Sequence, residues 1–260
     1  MVECRELIEY LKVVVTGVSP NSLGQAIALS LSSQSPALLI LASRTQSKLD
    51  AIVQAIHSEY PSIPVKTVLL DLASQKSVLS AVAEITSLIG SGSIDVLFNN
   101  AGINTSTRKL TPEGIELQFG TNHVGPFLLT NLLLPLLLRN KGGARIVNTS
   151  SEAHRISPVR FGDYNQEPGA KVETEDEPRR ALPEGILRSD GGYEPGVAYG
   201  QSKTANVLMA VGLNARLGRR KGVESFAVTP GSEFLYFFFW NVLYYRGRFR
   251  FGYLGLGLMQ

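Results

Sequence analysis

The sequence predicts a doubly wound α/β fold: a parallel β-sheet with helices on both faces. Three observations carry the prediction. Short apolar runs, many of them β-branched, alternate with segments whose apolar residues recur at helical spacing. The runs are solidly apolar rather than alternating, which marks strands buried on both faces. The polar and glycine motifs fall at the carboxyl ends of these runs, where open α/β sheets bind their ligands.

The elements follow in order. Lys12-Val13-Val14-Val15-Thr16 is the first strand, closed by Gly17 and Pro20. A helix over 25–33 carries Ala26, Ile27, Ala28 and Leu29. Residues 37–42 form the second strand through Leu38-Leu39-Ile40-Leu41. Helix 48–60 sets Leu49, Ile52, Val53 and Ile56 on one face. A third strand covers 65–70 and a third helix 78–89. The fourth strand, 94–98, ends in Asn99-Asn100-Ala101-Gly102, and a long helical stretch runs over 115–138. Residues 145–148 give a fifth strand, 196–216 a helix and 225–228 a sixth strand, closed by Pro230-Gly231. Residues 163–194 are polar, rich in Pro and Gly and without period, so they read as a surface insertion.

Composition narrows the function classes. The chain has 260 residues, 44% hydrophobic and 18% charged, with a net charge of +3. That balance excludes disorder as the main state. A lone cysteine, Cys4, excludes a disulfide scaffold. No Lys/Arg block points to nucleic acid. The charged start, Glu3 to Glu6, is unlike a signal peptide, and no apolar run reaches the ~18 residues of a membrane span. The expectation is a cytoplasmic protein. His57, His123 and His154 lack metal-ligand spacing, so no metal is expected. Ser150 and Ser151 near His154 lack a nucleophile-elbow pattern, which counts against a hydrolase.

The stretch Thr16-Gly17-Val18-Ser19-Pro20-Asn21-Ser22-Leu23-Gly24 lies between strand and helix. Backbone N–H groups at a helix start can hold a pyrophosphate, and this places Gly17, Ser19, Asn21, Ser22, Leu23 and Gly24 as cofactor-binding candidates. Ser22 stands where a middle glycine is expected, so the loop alone is equally a plain strand–helix turn. Arg44 follows the second strand, where an arginine can pair with the 2′-phosphate of NADP; a surface arginine is the plainer alternative. Asp71 ends the third strand, placed to meet the adenine or simply to make a turn.

Tyr199 and Lys203, at i and i+4, share one helix face. Free tyrosine is too weak an acid to serve as a base at neutral pH. An ammonium ~4 Å away is worth about 4 kcal/mol at an effective dielectric near 20, enough to bring the phenol toward neutrality. Taken alone, the spacing is equally a lysine lying over a tyrosine.

The motifs together are specific. Asn122-His123-Val124-Gly125-Pro126-Phe127-Leu128-Leu129-Thr130, Arg145-Ile146-Val147-Asn148-Thr149-Ser150-Ser151 and Ala198-Tyr199-Gly200-Gln201-Ser202-Lys203-Thr204-Ala205-Asn206 occur in order. From about Lys12 to Gly231 the chain resembles the short-chain dehydrogenase/reductase family, most closely its retinol-dehydrogenase-like and fungal oxidoreductase branch. The resemblance implies a Rossmann-type domain over 1–231 that uses NADP(H). It implies that Tyr199 is the general acid or base, that Lys203 tunes it and binds the nicotinamide ribose, and that Ser151 bonds the substrate oxygen. Asn122 is implied to hold a water that links Lys203 to solvent. Asn99, Asn100, Ala101 and Gly102 are implied to shape the sheet end beside the cofactor, and Asp71 to meet the adenine. The implied substrate is a lipophilic carbonyl or alcohol, with a homodimer as a further expectation. Two departures concern the phosphate loop, which is one residue longer than usual, and the 48 positions from Ser151 to Tyr199.

The third departure is the tail, 232–260. It holds 11 of the chain's 21 aromatics, and three arginines against one acid. The family's substrate-closing helices and seventh strand have no counterpart there. The expectation is a segment foreign to the domain, such as translation through an unspliced intron or a frameshift, leaving the seventh strand missing. An interfacial lid through 234–250 is the less favoured alternative. A cofactor-binding but inactive truncated relative therefore stands beside the active enzyme.

Overall fold

The structure is a computed structural model, and it describes residues 10–168, 170 and 192–230. The chain divides into a unit Met1–Thr229 and a unit Pro230–Gln260. The expectations for Gly231 and the tail 232–260, the missing seventh strand among them, lie outside the described residues, as does the middle of the 163–194 insertion.

Six parallel strands form one sheet, in the order β3-β2-β1-β4-β5-β6. They are β1 (Lys12–Thr16), β2 (Leu38–Ser43), β3 (Val65–Leu69), β4 (Val96–Asn99), β5 (Ala144–Thr149) and β6 (Val223–Val228). The helices are α1 (Leu23–Ser32), α2 (Gln46–Glu59), α3 (Gln75–Ile89), α4 (Leu117–Leu138) and α5 (Pro195–Lys221). The chain winds outward from β1 to β3, returns to the other side of β1 for β4, and winds outward again. That reversal opens a crevice at the carboxyl ends of β1 and β4, the ligand position in doubly wound sheets. The predicted class and strand sequence hold.

β1, β2 and β4 are apolar along most of their length because both of their faces are covered, with Thr16 and Asn99 as buried polar ends. Val14, Ile40 and Leu97 join Val78, Ile85, Leu129, Leu133 and Leu213 in one core beneath α3, α4 and α5. Neighbours on the same strands, Val13, Val15, Leu39 and Leu41, are also fully buried and point the other way by the strand period of two. Burying each such side chain stabilises the fold by roughly 1.5–3 kcal/mol. β3, an outer strand, is more exposed, and Leu69 is half-exposed.

α4 departs from a regular helix. Leu117–Phe119 and Gly125–Leu138 are α-helical, while Gly120–Val124 forms a π-turn in which the Gly125 N–H bonds the Gly120 carbonyl. Its 22 residues, with mean hydropathy 1.2, are long and apolar enough to cross a membrane by length and composition. The sequence reading found no such span. Half of the stretch is buried within the fold, Leu129, Leu133 and Leu137 completely. The apolarity is accounted for by packing against α3 and the sheet.

A polar row crosses the sheet at its carboxyl end. Asn99 Nδ2 donates to Thr130 Oγ1 and to Asn148 Oδ1, both at 2.9 Å, and Asn148 Nδ2 donates to Ser225 Oγ at 3.0 Å. Asn99 and Asn148 face each other in the ladder register. This row ties β4, β5 and β6 together directly below the crevice.

Candidate active site

The loop from Gly17 to Gly24 is built without a middle glycine. Gly17 turns the chain at φ +74°, and a Cβ there would fall 2.5 Å from the Ala101 Cα. Asn21 takes the left-handed conformation, φ 56°, that a glycine would otherwise supply. Ser22 is the N-cap of α1. Its hydroxyl accepts from Gln25 N and Ser19 N, both at 3.3 Å, and donates to the Ser19 carbonyl at 2.6 Å. Leu23 opens the helix, and Gly24 lies against the Gly17 carbonyl with no room for a side chain. The loop is therefore tied to the head of α1 by the Ser22 side chain.

β1 and β4 are joined at this point by a residue the sequence reading left unused. Thr16 Oγ1 donates to the Phe98 carbonyl and accepts from the Asn100 and Ala101 N–H groups, each at 3.1 Å. Asn100 Nδ2 returns a bond to the Thr16 carbonyl at 2.9 Å. Asn100 and Ala101 thus brace the loop from below. The available signal was a threonine closing an otherwise aliphatic strand.

At the carboxyl ends of β2 and β3, Arg44 is exposed just past β2 and has no bond or ion pair among the described residues. The Asp71 carboxylate accepts from Ala73 N at 3.0 Å in a local turn, while its N–H is held by Ser77 Oγ at 2.9 Å. Both residues stand at the strand ends predicted for them.

The π-turn carries Asn122, fully buried. Its Oδ1 accepts from Ile103 N at 2.7 Å, and its Nδ2 donates to the Ile103 carbonyl at 2.9 Å and to Ser202 Oγ at 3.1 Å. Asn122 thus clamps the backbone after Gly102 to both α4 and α5. A methyl on Gly102 would stand 3.3 Å from Lys203 Nζ and 3.4 Å from Asn122 Oδ1. Gly102 therefore leaves a cradle in front of both.

α5 presents Tyr199 and Lys203 on one face, as their spacing requires. Lys203 is 2% exposed, and its Nζ donates to the Thr149 carbonyl at 3.0 Å. Burial lowers its pKa to about 8. Nζ lies 5.4 Å from the centre of the Tyr199 ring. Tyr199 itself corrects an expectation. Its pKa is raised rather than lowered, because desolvation of the half-buried phenol outweighs the opposing bond from Ser151. Desolvation outweighs what the lysine contributes, so the phenol is not brought toward neutrality.

Ser151 follows β5 and caps the 3₁₀ turn Glu152–Arg155, accepting from Ala153 N at 3.2 Å. The same turn is pinned to α5. Thr204 Oγ1 bonds the carbonyls of His154 and Ser157 at 2.8 and 2.7 Å, and Gly200 lets the Ala153 carbonyl pass close to the helix. Ser150 points away and bonds the Lys203 carbonyl at 2.9 Å. The serine predicted for the site is thus the one that meets Tyr199. The 48 positions separating Ser151 from Tyr199 in the chain are closed in space.

The insertion is less superficial at its ends than its polarity suggests. Gln166 Oε1 accepts from Glu194 N at 2.9 Å, bringing its two stems together. Tyr193, 2% exposed, donates to Glu116 Oε1 at 2.8 Å and accepts from Gln118 Nε2 at 2.7 Å. Glu116 is fully buried at the head of α4, where its carboxylate also accepts from Gln118 N and Phe119 N. Burial raises the pKa of Glu116. None of these residues was singled out from the sequence, because Glu116 falls within the helix expected over 115–138, where a glutamate reads as an ordinary solvated helical residue.

A family model described as short chain dehydrogenase matches residues 12–165, more than half of the chain. The chain belongs to the short-chain dehydrogenase family. It is similar to the oxidoreductase fscI of Fusarium equiseti, at 35% identity over 85% of this chain and 86% of that protein. It is also similar to human retinol dehydrogenase 13, at 35% identity over 84% of this chain but only 58% of the relative. The chain thus spans somewhat under two thirds of the length of the retinol dehydrogenases it matches. Among solved structures, an uncharacterised protein from Mycobacterium paratuberculosis matches with a TM-score of 0.63 and 33% identity, covering 85% of this chain and 68% of that one. These likenesses agree with the retinol-dehydrogenase-like branch read from the motifs. As a short-chain dehydrogenase, the chain is of an oxidoreductase class that binds a nicotinamide cofactor.

Proposed function

We propose that the protein is an NADP(H)-dependent oxidoreductase acting on a lipophilic carbonyl or alcohol, with Tyr199 as general acid and base. The observation that carries this reading is the convergence of the Ser151 and Tyr199 hydroxyls beside the buried Lys203 and the Gly102 cradle. The cradle, the glycine-lined loop and the helix head suit a dinucleotide. When bound, such a cofactor supplies or accepts the hydride.

Each residue then has a defined task. The head of α1 and the loop 17–24 hold the pyrophosphate. Lys203 keeps two N–H bonds beyond the one to Thr149, and these reach the nicotinamide ribose hydroxyls. Ser151 donates to the substrate oxygen. Tyr199, raised by burial, holds its proton at neutral pH and is set to give it to a carbonyl oxygen as negative charge develops there. Arg44, unpaired among the described residues at the end of β2, is available to the 2′-phosphate, which supports NADP(H) over NAD(H).

The test uses purified protein, NADPH and a panel of aliphatic and aromatic ketones, with cofactor binding measured alongside. Turnover that Tyr199→Phe abolishes, with NADPH affinity unchanged, supports the reading. Full activity in Tyr199→Phe overturns it. Binding of NADPH without turnover of any substrate favours an inactive, cofactor-binding relative instead.

A further inference from the structure

The imidazole of His123 stands next to Asn122 in the π-turn but faces a different partner. His123 Nδ1 lies 3.1 Å from Asn206 Oδ1. Asn206 Nδ2 donates to the Thr149 carbonyl at 3.1 Å. That carbonyl is also the acceptor for Lys203 Nζ, at 3.0 Å.

These contacts fix their own polarity. A carbonyl only accepts, so the Asn206 amide must turn its nitrogen toward Thr149. Its oxygen then faces the imidazole, and Nδ1 must carry the proton. Asn206 is 3% exposed, so an inverted amide would set two buried acceptors against each other. The imidazole is in turn held in place by its own helix. Phe119 and Phe127 lie one turn to either side, with ring centroids 5.4 and 6.1 Å away. Burial also lowers the pKa of His123, which keeps the ring neutral at neutral pH and adds no charge near the lysine.

We propose that His123 is a positioning residue for the cofactor site, acting through Asn206 and the Thr149 carbonyl to set where Lys203 Nζ stands. The physical reason lies in the acceptor. A carbonyl oxygen has two lone pairs. Asn206 occupies one, and this confines the ammonium to the other, on the side of the Gly102 cradle. Without the histidine, the amide is free to turn over or withdraw, and Nζ can range over both lone pairs. The proposal rests on the reading that Lys203 binds the nicotinamide ribose.

The experiment is a double-mutant cycle read by NADPH binding in the absence of substrate. His123→Phe keeps an aromatic ring in the stack and removes the donor, and His123→Leu serves as a second donor-free variant. Melting temperature is followed for every protein. The expected result is an NADPH Kd about three- to tenfold higher in His123→Phe, the worth of one neutral hydrogen bond. In an Asn206→Ala background the same change has no further effect, since the path is already cut. An unchanged Kd in both His123 variants overturns the proposal. So do losses that multiply in the double mutant, because they would show that His123 acts by another route. Failure of the wild-type protein to bind NADPH removes the reading beneath the proposal, and the proposal with it.

Discussion

Lys203 Nζ stands 5.4 Å from the centre of the Tyr199 ring while donating to the Thr149 carbonyl at 3.0 Å, with only 2% of the lysine exposed. The ammonium is thus buried against a backbone oxygen and an aromatic ring, with no carboxylate bonded to it among the described residues. This arrangement has a pH signature. Folding lowers the lysine from 10.5 to about 8. Between those values the unfolded chain binds more protons than the folded one, so stability rises with pH across the window. Below about pH 8 the charged lysine destabilises the fold by its full amount, of order 3 kcal/mol. Denaturant unfolding of the ligand-free protein should show wild type gaining on Lys203→Met from about pH 8 to 10.5. Parallel pH profiles for the two proteins would contradict the burial argument.

Arg44 offers a test of cofactor choice. It is exposed and unpaired among the described residues, so Arg44→Ala should leave the fold and its melting temperature unchanged. A charge-assisted bond to the 2′-phosphate predicts a loss of NADPH affinity of roughly ten- to a hundredfold. NADH affinity should change little. Equal losses for the two cofactors would remove Arg44 from recognition.

Gly200 sets the distance between the two hydroxyls of the site. A Cβ there would lie 2.8 Å from the Ala153 carbonyl and 3.2 Å from Ile156 Cβ. Gly200→Ala must push the 3₁₀ turn off α5 and carry Ser151 away from Tyr199. Overpacking of this kind costs about 1–3 kcal/mol. The expected outcome is a lower melting temperature together with a fall in kcat, read by thermal unfolding and steady-state kinetics. A variant with native stability and rate would show that the turn relaxes freely.

Tyr193 probes the buried network at the head of α4. Tyr193→Phe keeps the ring and deletes the hydroxyl. Glu116 Oε1 then loses one donor and Gln118 Nε2 loses an acceptor, in a region closed to water. Leaving such groups short of partners costs about 1–3 kcal/mol. Chemical denaturation should register that loss with the m-value unchanged. A loss below ~0.5 kcal/mol would mean that water reaches the network.

Much of the fold was legible because its physics is local and repetitive. Runs such as Val13-Val14-Val15 must be buried on both faces, and helical spacing between them leaves few arrangements other than a doubly wound sheet. Helical spacing alone puts Tyr199 and Lys203 on one face, while the place of Ser151 beside them came only from the family resemblance. The sign of the shift at Tyr199 was not legible, because it depends on how deeply the phenol and the lysine are desolvated, and that is a property of packing. The π-turn around Asn122 was hidden because the stretch after it, Gly125–Leu138, is apolar on nearly every side, so the phase shift of one added residue leaves no mark in the pattern. Thr16, Glu116 and Asn206 were passed over because polar side chains reveal a structural role only when their distant partners are known. Thr16 meets residues 82 to 85 positions away, and Asn206 meets residues 57 and 83 away.

The bond between Gln166 and Glu194 bears on chain length. The two stems of the 163–194 segment meet there, one beside Asn165 and the other leading directly into α5. Whatever number of residues runs between them, the entry to α5 is fixed by the stems and by Tyr193. Closing a longer loop across such a clamp costs only about 0.6 kcal/mol per doubling of its length. The 48 positions between Ser151 and Tyr199 are thus bridged by contacts at the segment's ends, Gln166 with Glu194 and Tyr193 with Glu116, and these set where α5 begins.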